Sequence, residues 1–195
     1  MEHKEFLAIR ERLKRIRKRD VVSPMGVIPA SIEFLDRAIH QASVKREKRE
    51  LYLLLIGECV RCQRGDLEME YRRRQRADFP GDPFVLTSFA LALAYDEKTQ
   101  AEALAISHEA IAAAVQRGTW IRYCFTRLAR VAIAVGDGAA LAEALEALVK
   151  EGGEWREEDY HLEFDFLEQI RPGSVDPALL EAYRALGPTS LDEST

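Results

Sequence analysis

Two Gly-Asp pairs constrain the fold of this chain more than any other feature. Gly65-Asp66 and Gly136-Asp137 lie 71 residues apart, and each pair separates two stretches in which apolar residues recur every three to four positions. Glycine ends helices because it adopts the left-handed conformation easily, and aspartate begins them by capping free backbone amides. The pairs therefore predict helix-turn-helix units, separated by about two periods of a ~34-residue helical repeat.

The apolar pattern predicts helices along nearly the whole chain. No stretch shows the period-two alternation of a strand, and Ala, Leu, Glu and Arg, which favour helix, dominate the composition. Short connections make successive helices antiparallel neighbours. Ser31, Asp66, Asp82, Thr99, Thr119, Asp137 and Asp176 are the expected N-caps. About ten helices are expected, near 2–19, 30–44, 47–64, 66–78, 83–95, 99–116, 120–135, 138–150, 156–170 and after Asp176-Pro177.

The domain organisation is expected to be simple. A chain of 195 residues with 47% hydrophobic content can form one sizeable core. We expect a single helical-repeat domain over 1–188, with N-terminal helices in 1–45, three helix hairpins in 46–151 and capping helices in 154–188. A flexible tail is expected over 189–195.

The composition also predicts where the protein acts. No run approaches the roughly 18 apolar residues that span a bilayer, and the acidic residues near Met1 do not fit a signal peptide. An odd number of cysteines, three, in a chain without an export signal indicates reduced thiols. We therefore expect a cytoplasmic protein with no membrane partner.

The charge is divided unevenly between the two parts of the chain. Residues 1–80 contain 19 Lys and Arg against 13 Asp and Glu, a net charge of +6, whereas residues 81–195 contain 9 against 20, a net charge of -11. Three interpretations follow: attraction between the two ends of one chain, head-to-tail association of copies into a homo-oligomer, or an anionic partner for the basic part.

Residues 122–150 resemble the tetratricopeptide (TPR) repeat family. Gly136-Asp137 occupies the position of the family's turn, and Phe125, Leu128, Ala129 and Ala132 stand at its first-helix large, Leu, small and aromatic positions. Ala132 and Leu141 depart from the family pattern, which has an aromatic and a small residue there. Residues 51–83 match less well, although Phe79-Pro80 resembles the family's closing motif, and 84–118 keep only the helix lengths and small residues.

This resemblance implies an architecture and a function. The architecture is a superhelix of stacked antiparallel helix hairpins, in which Ala129 lets two paired helices approach closely. The function is a non-enzymatic adaptor or chaperone-like module without cofactor, including a role similar to bacterial secretion chaperones, that holds a peptide segment or helix of a partner protein. The implied groove residues are Tyr123, Thr126, Arg130 and Ile133; in the alternative interpretation, Tyr123 and Ile133 belong to the core.

A second function is suggested by the basic runs of the first 80 residues. Arg72, Arg73, Arg74 and Arg76 are the strongest of these and are candidate phosphate contacts for a nucleic-acid-associated protein. Helical geometry scatters neighbouring residues around the axis, however, and Glu68 and Glu70 dilute the positive charge. Few aromatic residues accompany the runs for stacking on bases. We therefore rank nucleic-acid binding below protein binding.

Catalytic and metal-binding patterns are weak in this sequence. Cys59 and Cys62 are spaced to share a ligand, but a structural zinc site needs four ligands and no second such motif follows, so we expect buried small side chains and no metal. His161 and Asp165 share a helix face, yet no nucleophile motif accompanies them, so a hydrolase is the least supported class. The surrounding acidic segment contains Trp155, Tyr160, Phe164 and Phe166, which either cap the helical stack or form a docking patch for a basic partner.

Overall fold

The computed structural model describes residues 3–18, 27–151 and 164–186. Within these ranges the regular structure consists of nine α-helices and one 3-10 helix, with no β-strand. The prediction of an all-α protein is therefore confirmed. Three predictions lie outside the described residues: those for Gly152-Gly153, for most of the helix at 156–170 and for the tail at 189–195.

The chain divides into two compact units, Met1–Asp78 and Phe79–Thr195, whereas the sequence analysis predicted one domain over 1–188. The division falls at Phe79-Pro80-Gly81. Proline disfavours the helical conformation in the residue before it, and Gly81 adopts a positive φ of 68°. Helix α4 therefore cannot continue past this point.

The N-terminal unit contains four helices: α1 (His3–Arg17), α2 (Ala30–Gln41), α3 (Lys45–Arg61) and α4 (Gly65–Asp78). Helix α2 packs against α1 and α3, and α3 packs against α4. The face of α2 that the apolar spacing predicted is the buried one. The side chains of Ile32, Leu35 and Ile39 from α2 and of Leu51, Leu55 and Tyr71 from α3 and α4 are buried.

The C-terminal unit contains α5 (Pro83–Leu93), α6 (Gln100–Arg117), α7 (Ile121–Val135), α8 (Gly138–Lys150), a 3-10 helix (Asp165–Gln169) and α9 (Pro177–Arg184). Each of α5 to α8 packs against the next helix, as the short connections predicted, and α5 also contacts α7. Leu128, Leu145, Phe166 and Tyr183, all fully buried, lie in one core cluster formed by α7, α8, the 3-10 helix and α9.

The two Gly-Asp pairs form different turns. Gly136 ends α7 with a φ of 77°, and the Asp137 carboxylate accepts hydrogen bonds from the amides of Ala139 and Ala140 at 3.0 Å, as predicted. Gly65, in contrast, is the first residue of α4, and the left-handed residue that ends α3 is Gln63, with a φ of 55°. Asp66 is therefore the second residue of α4 rather than its N-cap, and its carboxylate pairs with the Arg64 guanidinium at 2.7 Å.

The remaining cap predictions have mixed outcomes. Asp82 and Asp176 accept hydrogen bonds from amides of α5 and α9, as expected. Thr99 is the N-cap residue of α6, as predicted, but its hydroxyl donates to the carbonyl of Leu93 at 2.7 Å and accepts no hydrogen bond from an amide of α6. The N-cap of α7 is Trp120 rather than Thr119, and that of α2 is Pro29, which leaves Ser31 buried inside the helix.

Candidate partner-binding surfaces

The groove residues implied by the TPR resemblance lie on α7, and two of them are buried. Tyr123 is 4% exposed and Thr126 is completely buried. The reason is the packing of α5 on α7, which places the Phe84 ring parallel to the Tyr123 ring with centroids 5.7 Å apart. The assignment of these two residues to a partner-binding wall is therefore corrected, and Tyr123 belongs to the core, as in the alternative interpretation.

The other two residues of this set hold the protein's own C-terminal segment. The Arg130 guanidinium lies 2.6 Å from the Asp165 carboxylate and over the Phe166 ring, 5.8 Å from its centroid. Ile133 is half-buried against the same core cluster that contains Phe166. Arg130 therefore neutralises a carboxylate of its own chain rather than standing open on a groove wall. Its hydrogen bond and charge lower the pKa of Asp165.

The acidic aromatic segment caps the helical stack at the positions that the structure describes. Phe166 is completely buried, and its ring lies 5.8 Å from that of Tyr183 in α9. Phe164 is half-buried against the same cluster. The burial of these two side chains agrees with the capping interpretation. Trp155, Tyr160 and His161 lie outside the described residues.

The arginine run of α4 is partly neutralised within the N-terminal unit. Arg72 lies 2.8 Å from the Glu68 carboxylate, and Arg74 lies 2.9 Å from the Asp36 carboxylate. Arg74 also lies over the Tyr71 ring, 5.1 Å from its centroid. Arg73 is exposed and Arg76 is half-buried. The run therefore does not present four uncompensated positive charges on one face.

A buried carboxylate joins the first and third helices. Glu58 of α3 is completely buried and forms ion pairs with Arg17 of α1 and, at 2.7 Å, with Arg61. Burial alone would raise the pKa of this carboxyl, but the hydrogen bonds and charges of the two arginines outweigh it and lower the pKa. Glu58 therefore fixes the end of α1 and, paired on both sides, is not available as a general base.

The cysteines do not form a reactive or metal-binding site. Cys59 and Cys124 are buried, and burial raises the pKa of each thiol to about 12, so both remain protonated and weakly nucleophilic. Cys62 is half-buried on the next turn. Over the described ranges, no three His, Cys, Asp or Glu side chains converge to hold a metal ion.

A groove lies between α1 and α2 in the N-terminal unit. Its volume is about 580 Å³. The apolar lining comes from Ala8 and Ile9 of α1 and from Phe34 and Ala38 of α2. Its polar and remaining lining residues are Arg12, Arg37, Gln41, Ala42 and Ser43.

Two arginines give this groove a positive potential. Arg12 extends from α1 so that its guanidinium lies over the Phe34 ring, 5.0 Å from the centroid. Arg37, on α2, is exposed. Among the described residues, neither arginine forms an ion pair with a carboxylate, in contrast to Arg17, Arg61, Arg64, Arg72 and Arg74.

The sequence contains an apolar pattern that indicates this groove. The sequence analysis considered only the stripe of α2 that faces the core and did not use this pattern. Phe34, Ala38 and Ala42 recur at spacings of four, which places them in a row beside the stripe of Ile32, Leu35 and Ile39 and widens the apolar face of α2. A helix with two apolar stripes contacts two neighbours or leaves one stripe open.

Comparisons with protein-family models, with curated proteins and with solved structures found no match to this chain. The resemblance to the TPR family therefore remains a hypothesis that is based on the residues of 122–150. Of the helices that the structure describes, none has the length and apolar character needed to cross a membrane.

Proposed function

We propose that this protein is a non-enzymatic adaptor or chaperone-like module that holds a segment of a partner protein in the groove between α1 and α2. The observation that carries the proposal is the incomplete covering of the apolar stripe of α1. Leu13 is 3% exposed, whereas Phe6, Ile9 and Ile16 are only half-buried and Leu7 is 45% exposed. An apolar stripe left partly open beside a groove is typical of a surface that binds a partner.

The dimensions of the groove suit a peptide segment. Its α2 wall runs from Phe34 to Ser43, which corresponds to about 14 Å at the ~1.5 Å rise per residue of a helix. This length accommodates two to three turns of a helix or about four residues of an extended chain. The groove is open to solvent between two helices, and a chain can therefore enter from the side rather than through a narrow mouth.

The nucleic-acid alternative has less support. Two of the four arginines on which it depends, Arg72 and Arg74, already pair with carboxylates of the same unit. If these arginines bound phosphates, each would replace an existing ion pair with a new one. The net gain in binding free energy would therefore be small. We retain this alternative as an outcome of the binding tests below.

A site-specific crosslinking experiment tests the proposed function. A photo-crosslinking amino acid replaces Gln41, which lines the groove, or Val60, which is 57% exposed on α3 and apolar but outside the groove. We expect adducts with partner protein at position 41 and not at position 60. Adding Phe34→Asp, which places a charge in the apolar floor, should abolish the adducts at position 41 while circular dichroism confirms that the helices remain. Equal adducts at both positions, or adducts that survive Phe34→Asp, would contradict the proposal.

A further inference from the structure

We infer that the segment held in the α1–α2 groove is an acidic amphipathic helix, with its apolar side chains against Phe34 and Ile9 and its carboxylates paired with Arg12 and Arg37. This inference rests on the proposed function and specifies the chemistry of the partner.

Several arginines of this unit pair with carboxylates, but the two in the groove do not. Arg61 and Arg74 lie within 3 Å of a carboxylate of the same unit. Arg12 and Arg37, on opposite walls of the groove, have no such partner among the described residues. A guanidinium binds a carboxylate through two parallel hydrogen bonds, so these two side chains offer an acidic partner an oriented contact on each side.

Of the acidic side chains near the groove whose placement the structure describes, two are already held by cations of the same unit. On α1, Glu11 forms an ion pair with Lys14 at 2.6 Å. On α2, Asp36 is held by Arg74 and Glu33 lies in the first turn, outside the groove lining. Exposed Arg10 and Arg15 on α1 extend the positive surface beyond the lining. The positive charge of the described side chains of α1 therefore favours a partner of the opposite charge.

The apolar floor selects an amphipathic partner over a purely anionic one. Ile9, Phe34, Ala8 and Ala38 offer no hydrogen bonds to a phosphate backbone. Arg12 covers one face of the Phe34 ring, so a base cannot stack on that face without displacing the guanidinium. An aliphatic side chain, in contrast, buries itself on this floor and gains roughly 25 cal/mol for each square ångström of apolar surface removed from water.

The shape of the groove favours a helix over an extended strand. Helices α1 and α2 bond their backbone amides internally along their length, so an extended peptide could not form backbone hydrogen bonds to either wall as it does at a sheet edge. A helix satisfies its backbone internally and packs into a two-helix groove at the usual distance of about 8–10 Å between axes. Its flanking carboxylates then point towards the two walls.

Fluorescence polarisation with two matched peptides tests the inference on the full chain. The first is a labelled, covalently stapled helix of about 15 residues with leucines on one face and flanking glutamates; in the second, each glutamate is glutamine. We expect the acidic helix to bind about tenfold tighter, since it makes two charge-assisted contacts that the second peptide lacks. Arg37→Gln and Arg12→Gln should remove most of that difference. Arg73→Gln is the matched control, since it removes the same charge from an exposed position of α4 and should leave the difference unchanged.

The outcomes separate this inference from the proposed function. If both peptides bind equally and both are lost in Phe34→Ala, the groove binds helices but the acidic partner is wrong. If neither peptide binds, or Phe34→Ala changes nothing, the proposed function and the inference fail together. The inference is overturned if Arg73→Gln weakens binding of the acidic helix as much as the groove variants do. It is also overturned if an oligothymidine of about 20 nucleotides binds more tightly than the acidic helix. Either result would indicate general attraction to polyanions.

Discussion

At the scale of single residues, the structure assigns internal roles to side chains that the sequence offered to a partner. Arg130 is the clearest case, because its guanidinium contacts both the Asp165 carboxylate and the Phe166 ring. Arg17, which the sequence placed in a basic run, is bound to the buried Glu58. Long cationic side chains in helical proteins often serve their own fold in this way, since their stems also cover apolar surface.

The Arg130 contacts lead to a prediction about stability. Arg130→Ala should lower the free energy of unfolding by about 1 kcal/mol, because it removes an ion pair that is partly exposed and a cation–π contact. Folding lowers the pKa of Asp165, so the ion pair stabilises the folded protein fully when the pH is above the usual aspartate pKa. This stabilisation is lost as the pH falls through the lowered pKa of the folded protein. Urea denaturation at neutral and acidic pH checks this. An unchanged midpoint at neutral pH would show that Arg130 does not hold the 3-10 helix.

Glu58 gives a second prediction with a defined pH dependence. Its pKa is lowered on folding, so its contribution is complete above the ordinary glutamate pKa of 4.5 and is lost as the pH falls through the lower folded value. Glu58→Gln should therefore destabilise the protein by about 1–3 kcal/mol at neutral pH, with a smaller difference near pH 3. Arg17 and Arg61 are each 40% exposed, so water partly compensates for the missing charge. Denaturation curves of both proteins at the two pH values measure the effect, and a difference that does not shrink in acid would contradict it.

At the scale of helices and turns, the same dipeptide performs two different tasks. Gly136 adopts a positive φ and ends a helix, whereas Gly65 begins one without it. The left-handed residue near Gly65 is Gln63. The Gln63 amide donates a hydrogen bond to the carbonyl of Val60, and the Arg64 amide donates one to the carbonyl of Cys59. Hydrogen bonds of the same spacing at Gly136 and Asp137 end α7. The repeat spacing of 71 residues therefore does not reflect two equivalent turns.

A pair of glycine substitutions tests this difference. No heavy atom lies within 4 Å of a Cβ built on either Gly136 or Gly65, so backbone conformation alone distinguishes them. Gly136→Ala should destabilise the protein by about 1–2 kcal/mol, because alanine is strained at a positive φ. Gly65→Ala, on a helical position, should be neutral or stabilising by up to about 1 kcal/mol. Equal effects in a chemical denaturation series would mean that the two turns are alike after all.

The packing of α7 on its neighbours gives a further prediction. Ala129 is completely buried in the core cluster shared with α8. Ala129→Leu should overpack this contact and destabilise the protein by about 1–3 kcal/mol. Ala105→Leu, at an exposed position of α6, is the control and should change stability little. Thermal denaturation of the two variants measures the difference, and similar midpoints would show that Ala129 is not a close-packing position.

At the scale of the whole molecule, apolar periodicity predicted the helices well and the contacts between distant helices poorly. Periodicity reports that a face is buried, and the cores around Leu35 and Leu128 follow it. It does not report which element covers that face. The burial of Tyr123 depends on Phe84, which is distant in sequence, and the ion pair of Arg130 depends on Asp165. Such long-range pairings, like the groove lined by Arg12 and Arg37, arise only once helices have packed.

The last prediction concerns the independence of the C-terminal unit. Its core cluster, which includes Leu128, Leu145, Phe166 and Tyr183, is formed entirely by residues of α6 to α9 and their connections. A fragment of residues 79–195 should therefore fold alone, with helical circular dichroism and a single cooperative urea transition. Phe166→Ala should lower the free energy of unfolding of the fragment by about 3–5 kcal/mol, since it leaves a cavity at a fully buried aromatic site where the C-terminal segment packs on α7 and α8. A fragment that unfolds gradually, or one that is insensitive to Phe166→Ala, would show that this cluster does not suffice as an independent core.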